Sequence, residues 1–332
     1  MEITNHGNHE FSKTVLFIGG IKVFLYNADV LVPYVQKNNR EDEKQGEEGN
    51  SLSKQSPINV VYLMHQRLRD YKFTETVAYD ILRQYYAKTE SHVPLICVTM
   101  DNRNHGERAV DVSKNRSWSG GNATHALDMI SIVRGMVYDF KLVTEYLPTY
   151  LNLEYHLSTA ARERGISISY TNIVSGYSLG GHAAIRFAFS FPELVQVLNP
   201  VISCSELTSL LLLRMANVPI DSPDYDKRWF YYDYDDLKLS EQQKEHHYPE
   251  AFHKLLSKED IGVFENFPFR DIKMFAAYGG ADSLVPPRLS HIWTEVYQNS
   301  NPDTEVFVHQ GVGHEVTPEM IDKFTSYLVK HL

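Results

Sequence analysis

Apolar residues recur along the chain in short blocks whose period changes from one block to the next. Thr14–Ile18 and Ile21–Tyr26 are two apolar runs parted by Gly19-Gly20, a pattern that predicts strand, turn and strand. From Asn38 to Gln55 the chain is rich in Asn, Glu, Lys, Gly and Ser and nearly free of apolar residues. With nothing to bury, 38–55 is expected to be a flexible surface loop. Ile58–Met64 is then almost continuously apolar and β-branched, as expected of a strand covered on both faces. Phe73 to Lys88 places Val77, Ile81 and Tyr85 at helical spacing, and Pro94–Met100 reads as a second buried strand.

The alternation continues. A long helix is predicted from Ala126 to Tyr146, stopping before Pro148, and Ile173-Val174 leads a third buried strand. A helix follows from Leu179 to about Ser190, ahead of Pro192. Val195–Ile202, Ile272–Tyr278 and Thr304–Val308 are further strands, and Pro318 to His331 closes the chain as a helix. Such alternation predicts an α/β fold: a mostly parallel central sheet with helices on both faces. Residues 205–265 break the rhythm with no clear strand. They open with a Leu-rich helix (Leu207, Leu210, Leu211, Met215) and continue into the aromatic run Trp229–Tyr234. The stretch is expected to be a helical lid inserted after the sixth strand of a single domain spanning 1–332. Its aromatic run either lines a substrate pocket or packs the insertion onto the body, since both need aromatic burial.

Composition narrows the class. The 332 residues are 43% hydrophobic, enough for a substantial core, and the formal net charge is -10. That sign argues against nucleic acid or anionic lipid as a partner. The two cysteines, Cys97 and Cys204, both lie in apolar stretches. They exclude a disulfide scaffold and four-cysteine zinc modules, and they suit a reducing compartment. No run approaches the ~20 apolar residues of a membrane span, and Met1 to Glu10 has no signal-peptide core, so a soluble cytoplasmic protein is expected. The final Lys330-His331-Leu332 resembles a peroxisomal signal, but with lysine where a small residue belongs. His314-Glu315-Val316-Thr317-Pro318 lacks the second histidine of a zinc helix, and no phosphate-binding glycine motif follows a strand. No metal or organic cofactor is expected.

The informative stretch is Gly176-Tyr177-Ser178-Leu179-Gly180, a G-x-S-x-G element between a strand and a helix of small residues. A serine hydroxyl is a poor nucleophile and must be presented to a base beside hydrogen-bond donors. A sharp strand-to-helix turn does this but crowds the backbone, so its flanking positions must be almost free of side chain. Gly176 and Gly180 meet that need, and Gly181, Ala183 and Ala184 let the helix approach the sheet.

Over roughly 58–204 and 268–331 the chain resembles the α/β-hydrolase superfamily. Gly279-Gly280-Ala281-Asp282-Ser283-Leu284-Val285-Pro286 is similar to its acid loop, and Gly311-Val312-Gly313-His314 to its G-x-x-H loop. The resemblance implies Ser178 as nucleophile, His314 as base and Asp282 as the acid that orients it, with Glu206, after the preceding strand, as the rival acid. It implies an oxyanion hole made by the backbone N–H of Leu179 and one from the loop after Ile58–Met64. There the family's His-Gly-x is replaced by His65-Gln66-Arg67; position favours Arg67 over Gln66. His65, Gln66 and Tyr177 flank these turns and are expected to line the substrate pocket. Asp101-Asn102-Arg103-Asn104-His105-Gly106 is similar to the family's D-x-R-x-H-G segment, with Arg103 and His105 bracing loops.

The resemblance therefore implies a serine hydrolase acting on a small-molecule carboxylic ester or thioester through an acyl-enzyme, in a partly enclosed apolar pocket. The same residues suit acyl transfer, or amide, lactone or C–C bond cleavage. The altered His65-Gln66 turn leaves room for a non-catalytic binding protein on the same scaffold.

Overall fold

In a computed structural model, residues 10–45 and 55–332 are described. The strands are β1 (Lys13–Ile18), β2 (Ile21–Tyr26), β3 (Gln55–Met64), β4 (Leu95–Met100), β5 (Ser167–Tyr177), β6 (Val197–Val201), β7 (Lys273–Gly279) and β8 (Thr304–His309). They form one sheet in the order β1-β2-β4-β3-β5-β6-β7-β8. β1 and β2 pair antiparallel, as does β2 with β4, and every other pair is parallel. The order turns back between β3 and β5, where the crevice at the carboxyl ends of parallel strands forms. These two strands pair from Gln55↔Ser167 to Met64↔Gly176, so the turns that follow them emerge side by side.

The helices are α1 (Leu31–Gln45), α2 (Tyr71–Lys88), α3 (His125–Leu151), α4 (Thr159–Glu163), α5 (Leu179–Ser190), α6 (Leu207–Met215), α7 (Glu250–Glu265), α8 (His291–Ser300) and α9 (Pro318–His331). Alternation along the strands sends side chains to two cores. Val61, Leu63, Ile173 and Phe275 pack with Val77, Ile81 and Leu82 of α2 and Phe324 and Leu328 of α9. Val60, Tyr62, Val174 and Met274 pack on the other face with α3, α5 and the insertion. Among the described residues, no helix is long and apolar enough to cross a membrane.

Two boundaries depart from expectation. Helix α1 takes the first part of the segment read as a loop, and β3 already begins at Gln55, while residues 46–54 lie outside the described residues. Leu31 and Val35 anchor the first turns of α1 in the core. The polar residues that follow contain no glycine or proline up to Gln45, so propagating the helix costs little. Helix α3 runs through Pro148 to Leu151 instead of stopping before it. Proline forfeits one intrahelical hydrogen bond, but the buried Leu147 and Leu151 hold the last turn on the core. Asn152 then ends the helix in the left-handed region, its N–H donating to the Pro148 carbonyl at 2.9 Å.

The insertion between β6 and β7 consists of α6, several single-turn helices and α7. Leu207, Leu210, Leu211, Leu212 and Leu213 are all buried. Asp260 of α7 accepts from the Leu207 and Thr208 N–H groups at 2.9 and 2.6 Å, satisfying the first turn of α6. Its other oxygen meets Arg186 of α5 at 2.5 Å, while Glu259 takes both Arg186 and Arg134. This buried ion network ties the insertion to the body. Phe230 packs on Phe264 of α7, ring centroids 5.6 Å apart, so the aromatic run at this position serves packing.

Candidate active site

β5 delivers the chain to Ser178, which takes φ 52° and ψ −112° before α5 begins. This conformation is unusual for a residue with a side chain and is held from both sides. The Ser178 N–H donates to the Val201 carbonyl at 2.9 Å, and its carbonyl accepts from His182 N–H at 3.0 Å. A Cβ on Gly176 would strike the carbonyl of Gly180, and one on Gly180 would strike the carbonyl of Met64 in β3. The glycines are thus demanded by the close crossing of the turn over itself and over the neighbouring strand.

Parallel β5, β7 and β8 end on the same edge of the sheet, which brings three distant loops together. Ser178 Oγ lies 2.8 Å from His314 Nε2, and His314 Nδ1 lies 2.7 Å from Asp282 Oδ2. Asp282 is buried, and its Oδ1 accepts from the N–H groups of Leu284 and Val285 at 2.8 and 2.9 Å. One carboxylate oxygen is therefore fixed by backbone and the other faces the imidazole. A carboxylate can only accept, so the imidazole proton sits on Nδ1 and Nε2 offers its lone pair to the serine hydroxyl. Glu206 takes no part in this line. It is buried, accepts from Ser209 Oγ and lies 3.2 Å from Arg228 Nη1; burial pushes its carboxyl up to about 7.

Ser178 and His314 open on a cavity of about 160 Å³ whose other lining residues include Gln66, Arg67, Leu179, His182 and Arg214. The backbone N–H groups of Gln66, Arg67 and Leu179 have no hydrogen-bond partner among the described residues. For Leu179 this follows from its place in the first turn of α5.

Of the three expected pocket residues, only Gln66 lines this cavity. His65 is buried behind the turn: its Nε2 accepts from Asn102 N–H at 2.9 Å, and its Nδ1 lies 2.7 Å from the Gln66 carbonyl. Burial lowers its pKa to about 4, so the ring is neutral and clamps the turn from below. Tyr177 directly precedes the serine on a strand and so points to the far face. There it meets Phe73 edge-on, with ring centroids 5.5 Å apart. In the D-x-R-x-H-G segment, Arg103 reaches a helix where a loop was expected. Arg103 makes a two-bond fork with Asp139 of α3 at 3.0 and 2.8 Å, and His105 stands edge-on to His65, with ring centroids 5.4 Å apart.

The pocket is less apolar than expected. Arg214, at the end of the Leu-rich helix, enters it, and so does His182 from α5. The only sequence signal for Arg214 is a single charge closing an apolar run. His182 had the mark of standing four residues after Ser178, one helical turn on.

No family model matches the chain, and no curated protein matches it. Solved structures do. TT1662 from Thermus thermophilus is similar at 14% identity over 96% of this chain and 97% of its own, with a TM-score of 0.53. A cold-adapted esterase from an Arctic intertidal metagenomic library aligns over 100% of both chains at 14% identity, with a TM-score of 0.49. Est1E from Butyrivibrio proteoclasticus, with ferulic acid bound, aligns over 96% of this chain and 98% of its own at 10% identity, with a TM-score of 0.48. Taken with the strand order and the strained turn at Ser178, the likeness to TT1662 along nearly the whole chain shows that this protein has the α/β-hydrolase fold.

Proposed function

We propose that the chain is a serine hydrolase that cleaves a carboxylic ester or thioester through an acyl-enzyme on Ser178. The observation that carries this reading is the unbroken hydrogen-bonded line from Ser178 Oγ through His314 to Asp282 at the wall of a cavity. In the first half-reaction Oγ attacks the carbonyl carbon while Nε2 takes its proton. The carbonyl oxygen becomes an oxyanion held by the N–H groups of Leu179 and, by position, Arg67. His314 then protonates the departing alkoxide or thiolate as the acyl bond to Oγ is completed. In the second half-reaction Nε2 deprotonates water, the hydroxide attacks the acyl carbon, and the proton returns to Ser178 as the acid leaves. Asp282 holds the tautomer and stabilises the imidazolium throughout.

The buried free thiols of Cys97 and Cys204 support a reducing, cytoplasmic setting as part of the same proposal.

The test is hydrolysis of short p-nitrophenyl esters by the wild type and by Ser178→Ala, with fluorophosphonate labelling in parallel. Removal of the hydroxyl is expected to lower kcat by about 10⁴-fold or more and to abolish labelling. Esterase activity that survives the substitution overturns the assignment of this serine.

A further inference from the structure

Arg67 and Arg214 set the triad cavity apart from the rest of the molecule. Elsewhere most guanidiniums tied into the fold meet carboxylates: Arg186 meets Glu259 and Asp260, Arg103 and Arg108 meet Asp139, and Arg228 meets Glu206, whereas Arg162, which lines neither cavity at the triad, donates to the Tyr155 and Leu157 carbonyls. Arg67 and Arg214 meet only carbonyls. Arg67 Nη1 donates to Asn115 O at 2.8 Å, and Arg214 donates through Nε and Nη2 to Leu284 O at 3.0 and 2.6 Å. Nε and Nη2 of Arg67 and Nη1 of Arg214 have no protein partner among the described residues.

Both side chains line the 160 Å³ cavity at Ser178, and both also line an adjoining cavity of about 660 Å³ with Trp118, His125 and His247. No Asp or Glu is among the residues lining either one, in a chain with 42 acidic residues against 32 basic. Asp282 is near, but both of its oxygens are engaged by His314 and by the Leu284 and Val285 N–H groups. Burial, with the Arg67 charge also contributing, pushes Arg214 down to about 10, and burial lowers Arg67 as well. Both remain charged at neutral pH. Asp282 offsets part of the Arg214 charge from a distance, but no carboxylate pairs directly with either cation, and an anion arriving with the substrate supplies that partner.

Resting on the hydrolase reading above, we propose that Arg67 and Arg214 form an anion-recognition pair, so that the ester or thioester taken by this site carries a carboxylate or phosphate group. A planar guanidinium fork matches either group through two parallel hydrogen bonds. The adjoining cavity, entered past the same two arginines, accommodates the remainder of the molecule.

Three substrates locate the charge: phenyl butyrate (neutral), monophenyl glutarate (carboxylate on the acyl side) and 4-butyryloxybenzoate (carboxylate on the leaving group). The wild type is expected to prefer one charged ester over the neutral one by roughly tenfold to a hundredfold in kcat/KM, chiefly through KM. Raised salt should shrink that ratio. Arg214→Gln should collapse the ratio, and Arg214→Lys should restore part of it. Arg214 also holds the Leu284 carbonyl beside the acid loop, but a purely structural role lowers all three substrates together and leaves the ratio unmoved, which overturns the proposal. Calorimetric binding of glutarate and of inorganic phosphate to Ser178→Ala protein separates this inference from catalysis. Binding that weakens at least tenfold when Arg214→Gln is added supports the anion site even if no ester is hydrolysed. Hydrolysis of phenyl butyrate without charge preference or anion binding leaves the hydrolase standing and removes the anion site.

Discussion

Replacing Asp282 by Asn tests the tautomer argument more sharply than deleting the side chain. Asp282 Oδ1 accepts from two backbone N–H groups, at 2.8 and 2.9 Å. The amide oxygen of an asparagine must stay on those donors, which leaves its NH2 facing His314 Nδ1. An amide NH2 can only donate, so Nδ1 has to accept and the imidazole proton moves to Nε2. Nε2 then presents an N–H to Ser178 Oγ where it had presented a lone pair, and the hydroxyl loses its base. The negative charge that stabilises the imidazolium is lost as well. The expected fall in kcat is about 10⁴-fold, or roughly 5 kcal/mol of transition-state stabilisation. Both backbone hydrogen bonds survive, so circular dichroism and the melting temperature should stay close to those of the wild type. The assay is p-nitrophenyl butyrate hydrolysis over a pH series. A variant that keeps more than about a tenth of the activity would falsify the orientation argument. If Glu206→Gln caused the loss in its place, the acid would have been assigned to the wrong loop.

Other consequences are equally direct. Gly180→Ala forces a methyl against the Met64 carbonyl, so it should cost activity and folded yield together; a soluble, fully active variant would contradict the packing of the turn. Asp260→Ala leaves the buried Arg186 with Glu259 alone and strands the first N–H groups of α6, and urea denaturation should show a loss of about 2–4 kcal/mol; a loss below about 1 kcal/mol would mean that the network is not holding the insertion. Burial lowers the His125 pKa to about 4 from its ordinary 6.5. The unfolded chain therefore binds this proton first. The stability contributed by the neutral ring is fully present above about pH 6.5 and is lost as pH falls toward 4. Relative to the wild type, His125→Gln should flatten the stability-against-pH slope in that window by up to about 1.4 kcal/mol per pH unit. An unchanged slope would show that His125 titrates normally.

The elements that the sequence revealed are those whose cause is local. Gly176 and Gly180 were readable because a serine turn crossing a strand admits no side chain there, whatever lies further away. The buried strands stood out because covering both faces leaves a continuous apolar run. Asp282 and His314 were legible through their order along the chain and the turns around them. The misplaced residues depended on direction or on context. Tyr177 sits beside Ser178 in sequence, but strand alternation sends it to the opposite face, and His65 is drawn inward by Asn102. Pro148 looked like a helix stop because its own geometry opposes a helix, yet the burial of Leu147 and Leu151 outweighs one lost hydrogen bond.

Taken alone, the amino-acid order determined the alternating α/β architecture, the place of the sharp turn at Ser178 and the candidacy of Asp282 and His314 as its partners, because period, glycine demand and chain order are properties of neighbouring residues. Only the folded chain decided that Asp282 and not Glu206 faces the imidazole, and that two arginines without a carboxylate share the cavity. Those facts depend on which loops meet at the edge of the sheet and how residues 205–265 fold back over it, distances that no local pattern encodes.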